Sequence, residues 1–209
     1  MKQIVLITQG SQAIQLIRKL FELGYKPEQL LVFTDGEVKN ECFIQFILYY
    51  KIAVSFEIKY QLIKSDALVI SYSNSRKINI NHHATFINFH PGLLPRYRGS
   101  LSTIHSLINN EETVGGTWHY MTDKIDHGNI ISQFSIDITD NDTAFSLNHK
   151  IFNESINYLS EVLHLVNNGD LGYLQNHKKG KFYYNKFPDI NHLDEKLQKR
   201  ITYFPPEYE

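Results

Sequence analysis

A single cysteine, Cys42, is present, so no disulfide can form within the chain and a reducing compartment is expected. Charge of one sign is lacking as well: 21 Lys and Arg against 22 Asp and Glu leave a formal net charge of −1. That balance excludes a broad electrostatic pull toward nucleic acid or anionic membrane. The ten histidines do not alter it, because an unperturbed imidazole is mostly neutral at pH 7. No stretch approaches the roughly 20 apolar residues of a membrane span. The apolar opening Ile4-Val5-Leu6-Ile7 stops too early for a secretory signal, and the expected address is the cytoplasm. There is no Gly-x-Ser-x-Gly nucleophile elbow. No His, Cys, Asp and Glu spacing suggests a zinc or calcium site, so no metal is expected.

What is present reads as one α/β unit. The 209 residues suffice for a full hydrophobic core. Ile4 to Ile7 is a buried first strand closed by Gln9-Gly10-Ser11, and Ile14 to Leu23 follows at helical spacing until Gly24. Leu30 to Thr34, Ile52 to Phe56 and Ala67 to Ser71 read as further strands, with Phe43 to Tyr50 as a helix. Strands alternating with helices predict a Rossmann-like, mainly parallel twisted sheet. Ala84 to His90 is a strand followed by the rigid loop Pro91 to Pro95, and Ser102 to Ile108 is a short helix. Thr117 to Met121 and Asn129 to Ile138 form a hairpin, and Leu147 to Val166 is a long amphipathic helix. After Gly169 periodicity weakens. Residues 1–168 are taken as the catalytic domain and 169–209 as a packed, irregular tail.

Asn88 and His90 lie two apart in a strand and so share a face, at the carboxyl end where open α/β sheets bind ligands. An amide donor can hold charge developing on a carbonyl oxygen, and an imidazole can relay a proton near neutral pH. The competing reading is a local backbone cap and a satisfied structural histidine. Asp126-His127-Gly128 is open in the same way: turn chemistry, or a carboxylate that orients an imidazole or a water. His119, between Trp118 and Tyr120, reads as a packing residue. Gln9-Gly10-Ser11 offers backbone N–H groups to a phosphate but lacks the full Gly-x-Gly-x-x-Gly set that a nucleotide-dependent oxidoreductase would need.

The run Asn88-Phe89-His90-Pro91-Gly92-Leu93-Leu94-Pro95-Arg96-Tyr97-Arg98-Gly99 resembles the signature of the folate-dependent formyltransferases. Gly116 to Met121, followed by Ile125-Asp126-His127-Gly128-Asn129-Ile130-Ile131, is similar to that family's second strand pair and aspartate loop. The resemblance covers roughly residues 66–165. It implies 10-formyltetrahydrofolate as donor and formyl transfer to an amine through a tetrahedral oxyanion, with no metal. It assigns Asn88 to the formyl oxygen, His90 to proton transfer, and Asp126 to the positioning of His90 and a bridging water. The folate is implied to lie against Tyr72, Ser73, Asn74 and Ile78 and against Lys124, Ile125 and Asp126. The acceptor is implied to meet Gly10, Ser11, Pro91, Gly92 and Leu93.

The first turn, Gln9-Gly10-Ser11-Gln12, departs from the purine enzyme's Gly-x-Gly-Ser-Asn cradle. The aromatic and basic tail resembles members that act on nucleotide-linked amino sugars, or those embedded in larger biosynthetic enzymes, and a nucleotide-linked amino sugar is the lead expectation. Glycinamide ribonucleotide is the alternative, and a folate binder without turnover is the reading from a different class. A tRNA acceptor would favour a basic surface that this chain lacks. Tyr183, Tyr184, Tyr203 and Phe204 are the aromatics available to stack on a base; the competing reading is that they pack the tail. A homodimer is the assembly considered.

Overall fold

The computed structural model describes residues 2–8, 12–34, 41–74, 77–80 and 83–205. Seven strands form one sheet: β1 (Ile4–Thr8), β2 (Leu30–Phe33), β3 (Ala53–Ser55), β4 (Leu68–Tyr72), β5 (Thr85–His90), β7 (Thr113–Tyr120) and β8 (Ile130–Asp137). Their order is β3-β2-β1-β4-β5-β7-β8. The first five run parallel; β7 and β8 join antiparallel as the expected hairpin. A second, two-stranded sheet pairs β6 (Arg98–Gly99) with β9 (Phe182–Tyr183) and brings the tail back to the loop that follows β5.

Alternation along the strands divides the core. Ile4, Leu6, Leu68, Ile70, Ile87 and Phe89 face the larger cluster; Val5, Ile7, Val69 and Phe86 face the smaller. Among the described residues the larger cluster takes residues from the α-helices α1 (Gln12–Glu22), α2 (Glu41–Tyr49), α3 (Ser102–Ile108), α4 (Ala144–Asn167) and α5 (Glu195–Thr202). The smaller cluster is covered by irregular chain carrying Ile58, Ile63, Ile78 and Ile80. In α1 the buried Ala13, Leu16, Ile17 and Leu20 follow helical spacing, and burying each large aliphatic side chain contributes about 1.5–3 kcal/mol.

The long helix begins where its polar residues allow. Thr143 caps α4 by accepting from the Ser146 backbone N–H at 3.0 Å. The tail carries elements that its weak periodicity does not signal, β9 and α5. Ile201 of α5 is buried in the larger cluster, and Arg200 donates to the Asp142 carbonyl at 2.7 Å. Among the described residues no helix is long and apolar enough to cross a membrane.

Candidate active site

Strand β5 ends in alternating residues of two kinds. Ile87 and Phe89 enter the core, where Phe89 packs on Tyr72, Trp118 and Phe152. Asn88 and His90 point to the opposite face and line a cavity of about 670 Å3 at the carboxyl ends of β4 and β5. In the antiparallel register Asn88 lies opposite His119, and His90 opposite Thr117. Side chains on paired residues share a face, so β7 delivers His119 to the same wall. The register of β7 with β8 shifts between Trp118 and His119, an irregularity that re-aims a side chain.

Asp126 stands between the two imidazoles. Its Oδ2 is 3.5 Å from His90 Nδ1 and its Oδ1 is 3.4 Å from His119 Nε2. The Gly99 N–H donates to Oδ2 at 2.8 Å. Burial opposes ionisation, but the neighbouring His90, the His119 contact and the Gly99 N–H together outweigh it and hold this carboxyl well below the usual carboxylate range. A buried carboxylate thus stays ionised at the cavity wall, 7% exposed.

Each imidazole is held by backbone. His119 Nδ1 donates to the Tyr120 carbonyl at 2.8 Å. Its Nε2 stands 3.1 Å from the Asn88 amide nitrogen and 3.4 Å from Asp126 Oδ1, and the Asn88 side chain also borders the cavity. His90 Nε2 donates to the Tyr97 carbonyl at 2.5 Å, so acceptors face both of its nitrogens. Tyr97 is itself fixed: its hydroxyl donates to Glu111 at 2.6 Å and accepts from Asn109 at 3.1 Å. Burial and then Glu111 push that hydroxyl up to about 12.

The loop after His90 has little freedom. Thr117 Oγ1 donates to the Gly92 carbonyl at 2.6 Å and accepts from the Leu94 N–H at 3.2 Å and from Gln133 at 2.8 Å. Gly92 is needed for space: a Cβ there would lie 2.6 Å from His90 Nε2 and 2.7 Å from Ser102 Oγ.

Several expected site residues are brought together and others are not. Ser73, Asn74, Ile78, Lys124 and Ile125 line the cavity with Asn88, His90, Pro91 and Asp126. Tyr72 does not. Its ring is fully buried, its hydroxyl donates to the Phe152 carbonyl at 3.1 Å, and Ser155 Oγ lies 2.8 Å away. Strand alternation explains this, because its neighbours Ser71 and Ser73 take the cavity side. Gly92 packs under His90, and a Cβ on Gly115 would come within 2.7 Å of the Leu93 side chain, so neither Gly92 nor Leu93 lines the cavity. Gly10 and Ser11 lie outside the described residues.

His119, read from the sequence as a packing residue, is a member of the site. The signal was its alternation with Trp118, whose ring is in the core. Of the tail aromatics named for stacking, Tyr183 and Tyr184 line the cavity, together with Phe182 and Asn185, which the sequence did not single out. Tyr183 is engaged already, stacked on His105 at 4.0 Å and on Tyr97 at 5.5 Å, whereas Tyr184 is 77% exposed. Phe204 packs on Phe145, and neither it nor Tyr203 reaches the cavity. Among the described residues no group of His, Cys, Asp and Glu could hold a metal ion.

Fold and site define an open α/β sheet with an amide, two imidazoles and a carboxylate converging where its strands end. The family described as formyl transferase matches residues 75–163, a stretch that holds both motifs on which the resemblance rests. The chain is 36% identical over 135 residues to the bifunctional polymyxin resistance protein ArnA of Wigglesworthia glossinidia brevipalpis, covering 65% of this chain and 19% of that protein. It is 33% identical over 127 residues to a GDP-perosamine N-formyltransferase of Brucella melitensis, covering 57% of this chain and 49% of that one. The chain therefore spans half or less of the length of these relatives. A solved structure of an N-formyltransferase from Helicobacter canadensis, in complex with folinic acid and dTDP-3-aminofucose, superposes with a TM-score of 0.78 at 21% identity. That likeness covers 92% of this chain and 74% of the other and shows the shared fold.

Proposed function

We propose that the chain transfers a formyl group from 10-formyltetrahydrofolate to the primary amine of a nucleotide-linked amino sugar. The observation that carries this reading is the ionised Asp126 set between His90 and His119 beside the Asn88 amide, on one wall of the cavity of about 670 Å3. The relatives named for sugar formylation, and a neighbour holding folinic acid with an amino-sugar nucleotide, support the choice of donor and acceptor.

In this mechanism the neutral amine attacks the formyl carbon on N10 and forms a tetrahedral oxyanion. An N–H of the Asn88 amide donates to that oxygen; a preorganised donor of this kind is worth roughly 3–4 kcal/mol. Asp126 takes up the proton shed by the nitrogen, directly or through a bridging water, with its charge steadied by the flanking imidazoles. His90 assists the proton's passage toward N10. The C–N10 bond then breaks, tetrahydrofolate leaves with the proton, and the amide product remains. The folate is placed along Ser73, Asn74, Ile78, Lys124 and Ile125, and the acceptor along the tail side of the cavity.

The test is turnover of 10-formyltetrahydrofolate with a panel of amines: nucleotide-linked 3- and 4-amino sugars, glycinamide ribonucleotide and free amino acids. Release of tetrahydrofolate with an amino-sugar nucleotide alone is the expected result. Turnover with glycinamide ribonucleotide alone would replace the acceptor, and folate binding without turnover would point to a binder. Asp126→Asn should lower kcat by about 10²-fold or more while leaving folate affinity nearly unchanged.

A further inference from the structure

We infer that Gln175, in the tail and outside the residues matched by the family, is a positioning residue that holds Asp126 in place; the inference rests on the proposed role of Asp126.

Asp126 has φ 57, a left-handed conformation that residues with side chains rarely adopt. Something must hold the loop there, and the carbonyl of Asp126 shows what does. It accepts from Gln175 Nε2 at 2.9 Å and from Arg98 Nε at 3.1 Å. The same Gln175 nitrogen donates to the Gly128 carbonyl at 2.7 Å, so one amide bridges the two residues flanking His127. Gln175 Oε1 in turn accepts from Arg98 Nη2 at 2.7 Å and Nε at 3.2 Å. Two carbonyls on one side and a guanidinium on the other allow the amide only one orientation.

Both side chains are withdrawn from solvent, Gln175 at 6% and Arg98 at 4% exposure, and Gln175 does not line the cavity. Its effect therefore passes through Asp126. The tail grips the loop a second time: Arg98 Nη2 is 2.8 Å from His177 Nδ1, and the His177 ring stacks on His127 at 5.1 Å. The charged and titratable groups around Asp126 are His90 from β5, His119 from β7, Arg98 from β6, Lys124 and His127 from its own loop, and His177 from the tail. Loosening the loop would move the carboxylate off the imidazoles that keep it ionised.

Gln175→Leu removes the bridge at similar size, and Gln175→Glu turns an acceptor toward two carbonyls. The deciding measurement is the titration of the Asp126 carboxyl by 13C NMR without substrates, assigned with Asp126→Asn. In both variants the midpoint should climb toward the ordinary carboxylate range; an unmoved midpoint overturns the inference. In the turnover assay kcat should fall about tenfold or more, with the KM for 10-formyltetrahydrofolate within about threefold. A kcat within twofold of the parent, despite a shifted midpoint, would remove the role in the reaction. Gln198→Ala is the control, because it loses a tail amide bond to the Leu193 carbonyl away from the cavity and should change neither readout. If Gln175→Leu does not fold, Gln175→Glu carries the test. If the parent turns over no amine, the proposed function fails while the titration still decides whether Gln175 places Asp126.

Discussion

At the scale of single residues the site is a problem of reach. Asn88 and His90 share a face because strand side chains alternate, and His90 keeps its orientation because the Tyr97 carbonyl holds one nitrogen. Gly92 is the residue that permits this. Gly92→Ala should displace the His90 ring and lower kcat by about 10- to 100-fold in a chain that remains folded by circular dichroism, since misplacement by about 1 Å has such costs. A kcat within twofold of the parent would mean that the ring can yield without loss. Asn88, His90 and Asp126 could be marked from the motif alone. His119 could not be assigned to the wall, because its proximity to Asp126 depends on which residue of β5 it opposes.

At the scale of elements, the start of α4 rests on one buried carboxylate. Asp142 accepts from the Thr139 N–H and hydroxyl, from Ser146 and from Lys150, at 2.6–3.0 Å. Burial opposes its charge, but Lys150, Thr139 and Ser146 outweigh burial and hold it well below the usual range. A carboxylate depressed in the folded state contributes stability that is present above its unfolded value, about 3.9, and is lost as pH falls through the lower folded value. Asp142→Asn should therefore cost about 1.5–3 kcal/mol at pH 7 by urea unfolding, with the difference from the parent shrinking below about pH 4. A difference independent of pH would show that shape, not charge, is what α4 requires. The positions of the strands and long helices were legible from hydrophobic periodicity, within a few residues at each end. The pairing of β6 with β9 was not, because two residues carry no periodic signal and their partners lie more than 80 positions apart.

At the scale of the whole molecule, the cavity is assembled from three distant parts of the chain: the carboxyl ends of β4 and β5, the hairpin with its aspartate loop, and the tail. The tail contributes Tyr184, an exposed aromatic at the cavity. If the acceptor carries a nucleotide, Tyr184→Ala should raise its KM by about 5- to 100-fold, as expected for a lost stacking contact of about 1–3 kcal/mol, and leave the KM for the folate unchanged. An unchanged acceptor KM would place the base elsewhere.

The sequence by itself determined the parallel sheet, the hairpin, the long helix and the catalytic candidates Asn88, His90 and Asp126. The elements are carried by local spacing (alternation in a strand, apolar repeats in a helix, rigid residues in a loop), and the three candidates by the two motifs and the resemblance they bear. Only the tertiary structure decided that His119 faces Asp126, that Tyr72 turns into the core, and that the tail both lines the cavity and grips the aspartate loop through Gln175. Those facts depend on strand register and on contacts between residues far apart in the chain, which no local pattern encodes.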